Sequence, residues 1–286
     1  MRIPVFYAPQ MVADSQSSSP SAAKPEKVVA SWQARFPIEV IEPQPVTVEE
    51  LCRAHDWDYV RGVLEGRIDN GFGNRSLAVA ASLVHTSGAM LSAARHALAT
   101  RSVAAAPCSG FHHAGFTGYE GLGMFCTFNG LMVAALALKE AGVGKVGILD
   151  LDMHYGNGTA DIIRRLGLSS WVTHFTGGAS FDDPHEAPEF FGRWLPDVLA
   201  WLSDCDVVLY QAGADPHISD PYGGWLTTEQ LRHRDAVVFD ALKAADVPVA
   251  WNLAGGYQVE PDGTIPKVLE IHDNTMRECV RAYGAG

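Results

Sequence analysis

Short apolar runs alternate with longer segments of helical period along almost the whole chain. Residues 3–7, 38–41, 103–106, 146–151, 171–175, 207–211 and 249–253 read as strands, several of them apolar almost without a break. Such unbroken runs suit strands buried on both faces of a parallel sheet. Helices are expected over 25–35, 76–99, 129–141, 159–166, 188–202, 228–245 and 265–282. One more is expected to open at the capping box Thr47-x-x-Glu50 and to carry Leu51, His55 and Tyr59. Strand and helix in alternation imply an α/β fold, a three-layer open parallel sheet with helices on both faces. No internal repeat and no linker divides the sequence, so residues 1–286 are expected to form a single domain. The Ser-rich stretch 15–21 reads as a polar loop with the composition of a disordered one.

Composition narrows the class without naming a function. A chain of 286 residues, 47% hydrophobic, can bury a large single core. No apolar stretch is read as approaching a membrane span, and the start lacks a signal peptide's apolar region. The expectation is a cytoplasmic protein with no membrane partner. The five cysteines are scattered and form no Cys-x-x-Cys, which predicts neither disulfides nor a cysteine zinc site. A net charge of −12 argues against nucleic-acid binding and suits a cationic substrate.

The strand ends carry the chemistry. The fourth run leads into Asp150-Leu151-Asp152-Met153-His154. If the strand continues through it, positions 150, 152 and 154 share a face. Two carboxylates and an imidazole side by side repel and resist burial unless they hold a cation; the plain alternative is a solvated acidic turn. Three other strands run into Ser109-Gly110-Phe111-His112-His113-Ala114, Ala212-Gly213-Ala214-Asp215 and Ala254-Gly255-Gly256-Tyr257. Ligands of open parallel sheets bind beyond the carboxyl ends of the strands, so these groups collect on one rim. One His and two Asp suit Zn²⁺ with an open coordination position, with Fe²⁺ or Co²⁺ also compatible. His112 and His113 would serve as base and acid, and the Tyr257 hydroxyl as an oxyanion donor. Taken singly, His-His is a packing feature, Gly-Gly-Tyr a turn and Ala-Gly-Ala-Asp an N-cap. Four in order, each just past a strand, are not accidental.

That ordered set resembles the histone deacetylase superfamily, which includes acetylpolyamine amidohydrolases and shares the arginase–deacetylase fold. The likeness runs from Ala54-His55-Asp56-Trp57-Asp58-Tyr59-Val60 through Gly110-Phe-His-His-Ala114, Met124-Phe-Cys-Thr-Phe-Asn129 and Asp150 to Gly158. It ends with Ala212 to Asp215, Asp220-Pro-Tyr-Gly-Gly224 and Gly255-Gly-Tyr-Gln258, in versions that look closest to class IV-like and bacterial members. The resemblance implies that Asp152, His154 and Asp215 hold the zinc. It makes His112 the first histidine of a dyad, oriented by Asp150, and His113 the second, paired with Asn157 where some members carry Asp. Tyr257 would bind the acyl oxygen, and Phe125 would line a narrow tunnel for the aliphatic part of the substrate. A potassium ion bound by the backbone of the Asp150 segment is implied as well.

Several positions depart from the family pattern. Cys108-Ser109-Gly110 replaces Pro-Pro-Gly before the dyad, Met124 replaces a glycine beside the tunnel, and Ser19-Pro20-Ser21 stands where His-Pro-Glu is usual. Phe181 is a candidate for a second tunnel aromatic. Tyr222 occupies a loop position that is acidic in some polyamine-specific members, which leans away from polyamines. Of the other histidines, His55 and His85 are expected in the core, and His96, His185, His233 and His272 on the surface. His174 and His217 lie near strand ends. The function implied is hydrolysis of an acyl group, acetyl above all, from a primary amine on an aliphatic chain. The substrate would be an acylated lysine or, alternatively, a small acylated amine such as an acetylpolyamine. A non-catalytic acyl-lysine binder would keep the pocket without the dyad, and a dimanganese ureohydrolase would need carboxylates that Asp215 to Asp220 do not space correctly.

Overall fold

The computed structural model describes residues 1–118 and 125–284. Its strands are β1 (Ile3–Phe6), β2 (Ile38–Ile41), β3 (Val103–Ala106), β4 (Val146–Asp150), β5 (Val172–Thr176), β6 (Val207–Gln211) and β7 (Val249–Asn252). They form one seven-stranded sheet in the order β2-β1-β3-β7-β6-β4-β5. Every pairing is parallel. The expected α/β architecture is therefore the observed one.

Strand alternation divides the core in two. Val208, Tyr210, Val249 and Trp251 face one side, where α1 (Lys24–Arg35), α8 (Leu195–Leu202), α9 (Thr228–Ala244) and α10 (Pro266–Tyr283) pack. Val146, Ile148, Val207, Leu209 and Ala250 face the other. There they meet α2 (Val48–Cys52), α3 (Trp57–Leu64), α4 (Leu77–Thr100), α5 (Gly130–Glu140) and α6 (Asn157–Arg165). Trp32 of α1 and Trp251 of β7, both fully buried, meet at 5.3 Å between ring centroids. Removing either ring would cost about 3–5 kcal/mol.

Five expectations change. The helix read from Thr47 through Tyr59 is two helices. Asp56 caps α3 by accepting the N–H groups of Asp58 and Tyr59, which breaks the chain direction and turns His55 inward. The segment 188–202 begins with the short α7 (Ala187–Glu189), passes through a π-helical turn over Phe190–Trp194 and only then enters α8. Pro196 has no N–H to give, and a wider turn just upstream accommodates the missing bond. The Ser-rich stretch is ordered: Ser15, Ser19 and Ser21 are buried, and their hydroxyls bond one another and the Ser19 carbonyl. α4 is, against expectation, long and apolar enough to cross a membrane by length and composition. Yet 56% of its most apolar window is buried, as suits a core helix. His272, expected on the surface, is fully buried under α1, where Trp32 Nε1 donates to its carbonyl.

Candidate active site

β3, β7, β6 and β4 are neighbours in the sheet, so the loops leaving their carboxyl ends form one continuous rim. β4 stops at Asp150, so strand alternation does not align residues 152 and 154 as expected. The loop does so instead, through hydrogen bonds to its own carboxylates. Asp150 Oδ1 accepts Asp152 N–H (3.2 Å) and Gln211 Nε2 (3.0 Å). Asp152 Oδ1 accepts His154 N–H at 3.0 Å, and its Oδ2 accepts Gly255 N–H at 2.8 Å. Asp215 Oδ1 accepts Met153 N–H at 3.2 Å. Two glycines make room: a Cβ at Gly255 would lie 2.1 Å from Asp215 Oδ2, and one at Gly213 2.8 Å from Asp152 Cα.

Asp152, His154 and Asp215 each turn one donor atom to a common point, all within 4.8 Å of one another. His154 Nδ1 lies 3.3 Å from Asp152 Oδ1 and 3.2 Å from Asp215 Oδ2, while its Nε2 bonds the Tyr222 carbonyl at 3.2 Å. Both carboxylates are buried, and Asp215 Oδ2 accepts no well-formed hydrogen bond. Burial, and then the charge of Asp152, push Asp215 up to about 7. Burial works against His154 as a cation, but the nearby carboxylates of Asp152 and Asp215 carry it up to about 11. The cluster is short of positive charge. An orphan buried carboxylate oxygen beside a second carboxylate and an imidazole fits a divalent cation with mixed nitrogen and oxygen ligands.

The two histidines that follow β3 stand beside this group, with ring centroids 4.1 Å apart. His112 Nδ1 donates to Asp150 Oδ2 at 2.7 Å, and its Nε2 is 3.4 Å from Asp152 Oδ1. Burial lowers its basicity, yet Asp150 and Asp152 outweigh that and raise it to about 9. His113 Nδ1 donates to Asn157 Oδ1 at 2.6 Å, which leaves Nε2 as the acceptor. Burial, then the neighbouring His112, lowers it to about 4. α6 presses on this pair from behind, since a Cβ on Gly158 would lie 2.4 Å from the His113 carbonyl carbon. His55, read only as a core residue, holds the same loop: its Nδ1 donates to Gly115 O and its Nε2 accepts Asn129 N–H, both at 2.8 Å.

Three aromatic rings surround the mouth. Phe125 lies 5.4 Å from Tyr257 and 6.1 Å from Tyr222, and the two tyrosines are 5.0 Å apart edge-on. Asp220 ties them together by accepting Tyr222 N–H (3.0 Å) and Tyr257 N–H (2.8 Å), a bond geometry that sequence spacing could not reveal. Phe125 and Phe111 adopt positive φ, a conformation that bulky side chains rarely take. Met124 lies outside the described residues. Phe181 is not at the mouth; it is buried with Phe190, Trp194 and Trp225. Beyond the rings opens a cleft of about 520 Å³, lined among others by Ser18, Tyr222, Tyr257, Val259 and Glu260. His174 and His217 sit one layer out, behind Asp150 and beside Gln258 respectively. Lys24, which no sequence motif marks, donates from its buried ammonium to Ala254 O and Gly255 O under the Tyr257 loop.

A family model described as the histone deacetylase domain matches residues 21–174, more than half of the chain. The chain belongs to the histone deacetylase family. It is 43% identical over 195 residues to acetylpolyamine amidohydrolase 1 of Pseudomonas aeruginosa, a stretch covering 58% of this chain and 54% of that one. With the acetylpolyamine amidohydrolase of Mycoplana ramosa it shares 38% over 179 residues, or 53% and 50% of the two chains. The matched stretch is thus about half the length of these curated relatives. The solved HDA15 HD domain superposes with a TM-score of 0.77 at 19% identity, covering 97% of this chain and 90% of the other, which supports the arginase–deacetylase fold.

Proposed function

We propose that the protein is a metal-dependent amidohydrolase of the histone deacetylase family that removes an acyl group from an aliphatic primary amine. The observation that carries this is the convergence of Asp152, His154 and Asp215 within 4.8 Å of one another, beside a histidine pair whose two members are held in opposite protonation tendencies. Asp152, His154 and Asp215 would hold the cation, Zn²⁺ by its ligand set. Once bound, it would supply Lewis acidity toward the acyl oxygen and toward water. His113 presents an uncharged Nε2, fixed by its bond to Asn157, and takes the proton of the attacking water. The same nitrogen then returns it to the leaving amine. His112 is oriented by its bond to Asp150, and the Tyr257 hydroxyl donates to the developing oxyanion. Phe125 and Tyr222 exclude water along the aliphatic stem of the substrate.

Acetyl-lysine in a peptide is the first substrate reading. Tyr222, not an acid, stands in the Asp220-Pro221-Tyr222-Gly223 loop, and the wide cleft outside the rings leaves space for a polypeptide. Small acetylated amines are the second, supported by the two amidohydrolase relatives and by Glu260 at the cleft edge, which can face a distal ammonium. Purified protein assayed with Zn²⁺ against acetyl-lysine peptides and acetylated polyamines separates them. A kcat/KM at least tenfold higher on the peptides is expected, and a chelator should abolish turnover on both. Turnover of neither class with metal present would leave an acyl-amine binder in place of the enzyme.

A further inference from the structure

We infer that Arg234, outside the site and touching none of its reacting groups, is a positioning residue that sets the spacing of the two carboxylate ligands. The inference rests on the reading that Asp152, His154 and Asp215 hold a divalent cation. Arg234 lies two turns into α9 and is fully buried. Its Nη1 donates to two carbonyls, Leu151 O at 3.0 Å and Gly213 O at 2.8 Å. Leu151 precedes Asp152 directly, and Gly213 stands two residues before Asp215.

The position matters because the sheet ends there. β4 and β6 are paired through Asp150 and Gln211, and Leu151 N–H still reaches Gln211 O at 3.1 Å. Beyond that the two loops separate to open the metal pocket. The carbonyls of Leu151 and Gly213 are then buried without a ladder partner, a state that destabilises the fold if left unmet. One guanidinium nitrogen meets both and straps the loops together. Its own orientation is fixed, since Nε donates to Asp235 Oδ1 at 2.8 Å. Asp235 is held in turn by the hydroxyls of Tyr210 and Thr275.

A displaced strap would be felt at the ligands. An added Cβ on Gly213 would sit 2.7 Å from Asp215 Oδ1 and 2.8 Å from Asp152 Cα, so there is no slack between this backbone and either ligand. A lysine would bring the charge but not the planar fork that is bonded to Asp235 and both carbonyls at once. Residues that orient metal ligands from behind typically change metal affinity by about 10–100-fold when replaced.

The test measures the Zn²⁺ dissociation constant by competition with a chromophoric chelator, alongside the melting temperature of the metal-free protein. Arg234→Met is expected to weaken Zn²⁺ binding by about 10–100-fold, and Arg234→Lys to recover part of that loss. Tyr210→Phe disturbs the same buried network but neither carbonyl, and should lower the melting temperature with Zn²⁺ affinity kept. If Arg234→Met does not fold, Arg234→Lys decides, with weakening beyond about threefold in support and anything smaller against. Affinity retained in a folded Arg234→Met, or lost equally in Tyr210→Phe, overturns the inference. Asp215→Asn separates the two ideas: Zn²⁺ binding unchanged there removes the ligand assignment itself, whereas binding lost there but kept in both Arg234 variants removes only the strap.

Discussion

At the scale of single residues, the rim depends on groups that have no room to change. Gly255 is one, because any side chain would enter the space of Asp215 Oδ2. Gly255→Ala is expected to retain the fold yet weaken Zn²⁺ binding at least tenfold by the same chelator competition. Tyr257→Phe makes the opposite separation. Losing an oxyanion donor should lower kcat by about 100-fold or more while metal affinity stays unchanged. A wild-type kcat would remove Tyr257 from the chemistry. Residue type alone made these groups visible: histidines, aspartates and a tyrosine just past apolar runs. The groups that hold them were not visible. Lys24, His55 and, through its bond to Tyr257 N–H, Asp220 act on backbone atoms far away in the sequence, and nothing in spacing indicates which backbone group a buried side chain will meet.

At the scale of elements, the join between α2 and α3 shows how a local signal can be right in kind and wrong in extent. The capping box at Thr47 forms as read, but the cap at Asp56 opens a second helix and frees His55 to brace the loop after the dyad. That bracing uses both ring nitrogens of an uncharged imidazole, and burial lowers His55 to about 4 from an ordinary 6.5. The unfolded chain therefore binds a proton below about pH 6.5 that the folded chain refuses, and folding stability falls as pH drops toward 4. Wild type should lose on the order of 2 kcal/mol more than His55→Gln between pH 7 and pH 5 in urea unfolding. Equal losses would mean that His55 is protonated in the native protein. The strand ends illustrate the same limit. β4 was legible, but the turn that brings Asp152 and His154 round to Asp215 depends on bonds to Gly255 and Met153 that only the folded chain makes.

At the scale of the whole molecule, the sheet order was the part least accessible from sequence. Alternating strands and helices imply a parallel sheet, but not that β3, β7, β6 and β4 stand side by side. That adjacency turns four separate strand ends into one pocket. The pocket concentrates buried carboxylates, so a bound cation should stabilise the entire fold. Zn²⁺ at about 100 times its dissociation constant is expected to add about 2.7 kcal/mol, seen as a rise of several degrees in melting temperature that a chelator reverses. No shift at saturating Zn²⁺ would count against a built-in cation site. The loops that carry the candidate site all leave the sheet at the same end, and among the described residues none of those groups comes from the other end. Stabilising substitutions made there share no partners with the pocket, so their effects should sum with those of pocket redesigns. An engineer could harden one end of this protein while rewriting the specificity of the other.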